Sequence, residues 1–234
     1  MDKITFIKDI WYDGPDECLY TYGKRFLKAS NFFIRQGNLD ASCAVYSLMM
    51  MLMIHKKVTY GELTDRKKAQ GESKHGWTGK MKLQDMFLHD FEGAYFKDSG
   101  YNFGALAEDL HHCFKKYAKA IPVEVDDLKS NSEEKIELRA AIKKRIDEGY
   151  PVEIGFRYKG KGYGHAVVAI GYTYHKGYFR LLCLDPGYEL PQMSFWNAIV
   201  DIYDKDDKSQ VYSDLYCHEN GFDNICVDQI LTIE

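Results

Sequence analysis

Several scarcities narrow what this chain can be. Only 5 of its 234 residues are proline, and no Pro/Ser linker, internal repeat or low-complexity stretch divides them. One domain is therefore expected, and a chain of this size can bury a core without disulfide or metal staples. Basic charge is not in excess: 31 Lys and Arg stand against 35 Asp and Glu, for a net charge of −4. That excludes the broad basic surface of a general nucleic-acid binder. There is no run of about 18 apolar residues, so no transmembrane helix and no membrane role is expected. The opening MDKITFIKDIWYDG carries acids early and only a short apolar stretch, which does not read as a secretory signal. The six cysteines (Cys18, Cys43, Cys113, Cys183, Cys217 and Cys226) are scattered along the chain. Six free thiols in a reducing, cytoplasmic compartment are the expectation.

What is present divides at about residue 149. The first part, about 1–149, reads as a helical lobe, and the second, about 150–234, as a strand-rich lobe. SCAVYSLMMMLMI, from Ser42 to Ile54, lacks Gly and Pro and is rich in Leu and Met. It predicts a helix buried all round, with Ser42 or Asp40 as N-cap. Leu106, Leu110, Cys113, Phe114 and Tyr117 share one face of a 3.6-residue period, which predicts a helix over 104–119. Another is expected over 133–148, with Ser132 as N-cap, Glu133 and Glu134 at the positive end of the dipole, and Gly149 as the stop. A short strand is read at 4–10. After Gly149 the segments 152–158, 165–174, 178–184 and 225–233 are β-branched or aromatic and are punctuated by turn residues, so they predict strands. The basic stretch 56–82 and the acidic stretch 201–228 read as solvated faces.

Three short motifs carry chemistry. Gln36-Gly-Asn-Leu-Asp-Ala-Ser-Cys43 opens the buried helix, Gly164-His165 opens a strand, and Asp185-Pro186-Gly187 ends the next. Cys43 falls at a helix N-terminus, where free N–H groups and the dipole favour a thiolate. If the strands flanking His175–Gly177 form a hairpin, paired positions sum to roughly 351–353. His165 then lies near the end of the partner strand, within reach of Asp185. A carboxylate on one ring nitrogen turns the other toward the nucleophile. Gly164 leaves room for a substrate backbone, Trp196 walls the cleft behind the Asp loop, and Tyr163 and Phe195 lie nearby in sequence. Asn197 is the alternative to Asp185 as orienting residue, with Gln192 a weaker one. His111-His112-Cys113 and Cys217-His218 with Cys226 match no common zinc spacing, so no metal and no cofactor is expected. The methionines of the buried helix read as core packing.

The order Gln, Cys-helix, Gly-His and Asp-Pro resembles the papain-like cysteine peptidases. It is closest to the bacteriocin-processing, double-glycine peptidase-like family. Ser42 and Ala44 flank Cys43 here, and Gln36 stands seven residues upstream, one more than is usual in that family. The resemblance implies an α+β papain-like fold, a helical lobe packed on an antiparallel sheet, with catalytic Cys43, His165 and Asp185 and with Gln36 in the oxyanion hole. It implies a cysteine peptidase that cleaves a protein or peptide substrate through a thioester, in the narrower family after a Gly-Gly pair. A stand-alone peptidase endangers its producer. The sequence thus also suggests a bacterial toxin or effector, cytoplasmic or secreted by a non-classical system into a target cell, held by an inhibitor or immunity protein. The rivals are a papain-like deamidase or acyltransferase with the same three residues, and a non-catalytic papain-like interaction module.

Overall fold

A computed structural model describes residues 3–13, 18–22, 29–36, 42–71, 78–88, 102–114, 118–124, 132–191, 194–203 and 214–234. Asp40, Gln192 and the tip of the acidic stretch lie outside the described residues.

Six strands close a barrel. They are β6 (Val152–Tyr158), β7 (Gly164–His175), β8 (Tyr178–Leu184), β9 (Ala198–Tyr203), β10 (Asp214–His218) and β11 (Gly221–Ile233). The pairing runs β7–β6–β11–β10–β9–β8 and returns to β7, antiparallel throughout. Two further strands extend its edges: β1 (Thr5–Phe6) follows β6 along β7, and β5 (Ala120–Glu124) follows β10 along β11. A separate antiparallel sheet joins β2 (Ile10–Asp13), β3 (Cys18–Tyr22) and β4 (Ala29–Asn31). Closure leaves few free edges, and it builds one apolar core from residues such as Ile154, Phe156, Val167, Leu181, Val200, Tyr216 and Ile230.

The helices are α1 (Cys43–Ile54), α2 (Tyr60–Thr64), α3 (Arg66–Gln70), α4 (Gly79–Leu88), α5 (Phe103–Phe114) and α6 (Ser132–Asp147). The fold class is therefore α+β. Eleven of the twelve residues of α1 are buried, as its all-round apolarity requires, and it packs against β7 and β6.

The differences from expectation have physical causes. Of the helix expected over 104–119, the described part is Phe103–Phe114; residues 115–117 lie outside the described residues, and β5 begins at Ala120. The strand expected over 4–10 is cut to Thr5–Phe6, with Asp9 at a positive φ of 63° before β2 begins. The stretch 201–228 is not simply a solvated face. Asp201, Asp214 and Asp228 are all buried, held by Arg180, Lys135 and Arg157 respectively. Their pairing with cations from other elements allows a run of acids to form β9, β10 and β11.

Candidate active site

Cys43 is the first residue of α1 and is 8% exposed. Ser42 takes the N-cap position but contributes no side-chain capping hydrogen bond. The positive end of the helix thus bears on the sulfur. Burial alone would push the Cys43 thiol up, but the His165 charge, a hydrogen bond with that ring and a backbone hydrogen bond from Ala166 outweigh it. The net effect is a thiol below its ordinary range, the condition for a nucleophilic sulfur near neutral pH. Three other thiols go the opposite way. Burial raises Cys183 and Cys217, and pushes Cys226 up to about 11.

His165 is the second residue of β7. Its Nε2 lies 2.7 Å from Asp185 Oδ2, which leaves Nδ1 for the hydrogen bond to Cys43. Burial would lower this imidazole, yet the charges of Asp185 and Cys43 and their hydrogen bonds raise it well above its ordinary value. A lowered thiol beside a raised imidazole shifts the balance toward a thiolate–imidazolium pair.

Asp185 arrives through the hairpin register. Val168 pairs with Leu184 and Ala169 with Cys183, each pair summing to 352; beyond a bulge at Ile170 the sum becomes 353. Extending the first register by one pair sets Asp185 opposite Val167, on the same face as His165 two residues away. The carboxylate has no exposed surface. Its Oδ1 accepts the Gly187 N–H at 2.7 Å, an Asx turn across Pro186. Its Oδ2 accepts from both His165 and the Tyr216 hydroxyl. Burial would raise this carboxyl. The His165 charge and the three hydrogen bonds hold it below the usual carboxylate range.

Two supporting residues complete the frame. Asn197 does not reach the imidazole as an alternative orienting residue would. It clamps the backbone of Asp185 instead, accepting its N–H at 2.7 Å and donating to its carbonyl at 2.8 Å and to that of Tyr188 at 3.0 Å. Tyr216, which the sequence reading missed, packs its ring between Phe156, His165 and His218 and ties β10 to the carboxylate. Only the alternation of DLYCH as a strand could have pointed to it.

The remaining sequence candidates divide. Gln36 docks on the Asp-Pro-Gly turn, its N–H donating to the Pro186 carbonyl at 2.9 Å, and its side-chain Oε1 is buried without a partner among the described residues. At Gly164 a Cβ would stand 2.6 Å from the Phe156 carbonyl oxygen of β6, so the pairing of β6 with β7 itself requires glycine there. Trp196 packs its ring on Phe6 of β1, 5.7 Å between centroids, with Phe195 alongside Phe6 at 6.0 Å. That places an aromatic contact of Trp196 at β1. Tyr163 is half-exposed and packs edge-on against Tyr158, whose ring stacks 6.5 Å from His165. Among the described residues no group of three or more His, Cys, Asp or Glu side chains could hold a metal ion.

Comparison with known proteins places the chain. No curated protein matches it. A crystal structure of UfSP from C. elegans is similar at 12% identity with a TM-score of 0.38, covering 100% of this chain and 34% of that one. The chain thus spans about a third of the length of that protein. The model of the Peptidase_C39 like family matches residues 30–211, which include Gln36, Cys43, His165 and Asp185. With well over half of its length matched, the chain belongs to the Peptidase_C39 like family.

Proposed function

We propose that Cys43, His165 and Asp185 are the catalytic residues of a papain-like peptidase acting on a protein or peptide chain. The observation that carries this reading is the continuous contact from Asp185 through His165 to a thiol lowered at a helix N-terminus. The Cys43 thiolate attacks the scissile carbonyl carbon, and the carbonyl π pair moves to oxygen. The Cys43 N–H and the Gln36 side-chain amide hold that oxyanion; such a donor contributes about 10²–10³-fold in rate. Collapse breaks the C–N bond as the imidazolium gives its proton to the leaving amine. The resulting thioester is hydrolysed by water, with neutral His165 accepting the proton as base. The second tetrahedral intermediate expels Cys43 as thiolate and restores the pair.

The reading extends to the substrate. Likeness to the double-glycine peptidases supports cleavage after a Gly-Gly pair. The danger of an active peptidase to its own cell supports a toxin or effector restrained by an inhibitor protein and acting in a target cytosol. Five described cysteines are free, which suits a reducing site of action.

The test is to incubate wild type and Cys43→Ala with a cell lysate and map new N-termini. Termini produced only by wild type are expected and would give the cleavage sequence. The same termini from both proteins would refute the reading, and conversion of Gln to Glu without scission would mark a deamidase.

A further inference from the structure

One buried acid takes no part in this chemistry. Glu153, the second residue of β6, has no exposed surface, and neither carboxyl oxygen has a hydrogen-bond partner among the described residues. Its neighbours across the sheet are Val168 of β7 and Leu231 of β11, both fully buried. Two residues along β6, on the same face, Gly155 pairs with Ala166. The Ala166 carbonyl accepts the Ser47 hydroxyl of α1 at 3.4 Å, and a backbone hydrogen bond links Ala166 to Cys43. Since α1 packs on both β6 and β7, Glu153 lies in the apolar seam beneath the first turns of the nucleophile's helix.

We propose that Glu153 is a positioning residue for the nucleophile: it sits under α1 as an uncharged acid, and its ionisation unseats the Cys43 end of α1 from the sheet. A charged carboxylate between Val168 and Leu231 has no donor to satisfy it and must recruit water, which the seam admits only if α1 lifts. Burial first, and the Cys43 charge second, hold the carboxyl well above its usual range. Phe103 of α5 also stands against this face, at Gly155, and from the elements packed on β6 (α1, α5, α6, β7 and β11) Cys43 is the one ionisable group acting on Glu153 among the described residues. Two negative charges in one apolar seam oppose each other, so Glu153 keeps its proton while Cys43 is a thiolate. An unfolded glutamate releases its proton near pH ~4.3. Folding therefore loses stability as pH rises from there toward the folded carboxyl's own midpoint, and loses none below it.

The consequence for catalysis rests on the proposed role of Cys43, so the tests read the carboxyl and the fold apart from turnover. In infrared difference spectra of the full chain at neutral pH, wild type against Glu153→Gln should show the carbonyl stretch of a protonated carboxyl. In Cys43→Ala that band should titrate away at least about one pH unit lower, the thiolate opposing it being gone. Thermal unfolding of Glu153→Gln should match wild type near pH ~5 and rise above it progressively toward pH ~9. The alkaline fall in selective Cys43 alkylation should move up by about one pH unit or more. Glu153→Met, which keeps length without charge, should behave alike. The proposal is overturned by a carboxylate band at neutral pH, by a titration indifferent to Cys43→Ala, or by parallel stability curves. Loss of turnover in Cys43→Ala tests the peptidase reading alone and leaves these signatures untouched.

Discussion

Asp185 and Asp214 are both buried without exposed surface in the same barrel, yet they do different things. Asp214 Oδ2 accepts from the Lys135 ammonium and the Val227 N–H, each at 3.0 Å, and Oδ1 accepts the Tyr203 N–H at 3.0 Å. Together these donors bind α6, β9 and β11 to β10. Asp185 spends one oxygen on its own turn and shares the other between Tyr216 and His165. His165 is a donor that can give up its proton, and its side chain keeps 14% exposure. A buried carboxylate is structural when its donors are permanent. It becomes chemical when one donor titrates and faces a nucleophile.

Crossing two substitutions breaks this comparison most sharply. Asp185→Ala is expected to lower kcat/KM by about 10²–10⁴-fold, because the imidazole loses both its orientation and its countercharge. Asp214→Ala is expected to cost about 3–5 kcal/mol of stability by stranding Lys135. Folded protein at low temperature should retain wild-type turnover per active site. Peptidase assays and urea unfolding on the two variants check this. Equal losses of rate in both would erase the distinction.

A smaller effect sharpens it. Tyr216→Phe removes one donor from a charged acceptor, a contribution of about 1.5–3 kcal/mol. Asp185 is held below the usual carboxylate range. The stability it contributes is therefore present above the unfolded carboxyl's pKa and lost as pH falls through the folded value. The deficit of Tyr216→Phe in urea should be full at neutral pH and shrink as pH falls through the folded carboxyl's lowered value. A constant deficit would assign Tyr216 to packing alone.

Much of this was legible in the sequence where the signal was local. An unbroken Leu- and Met-rich run could only be a buried helix, and α1 begins at Cys43. Strands β6, β7 and β8 follow from β-branched and aromatic runs between glycine turns, and the register sum placed His165 near Asp185 before any coordinates. What escaped depended on partners distant in sequence. The acidic stretch that forms β9 to β11 looked solvated, because Arg180, Lys135 and Arg157 meet its acids only across the fold. Tyr216 was missed for the same reason. Asn197 was noticed but given the wrong partner, since nothing in a linear reading shows a side chain clamping the backbone twelve residues earlier. The need for glycine at 164 comes from a neighbouring strand's carbonyl, which only the pairing of β6 with β7 creates.

The most direct test of the central claim is the pH dependence of iodoacetamide alkylation, resolved by mass spectrometry for each cysteine. Cys43 is lowered by His165, whereas Cys183, Cys217 and Cys226 are raised by burial. Cys43 in wild type should react well below the pH at which those three react, and His165→Ala should abolish that advantage. Equal reactivity of all the cysteines, or a Cys43 rate indifferent to His165→Ala, would contradict the account.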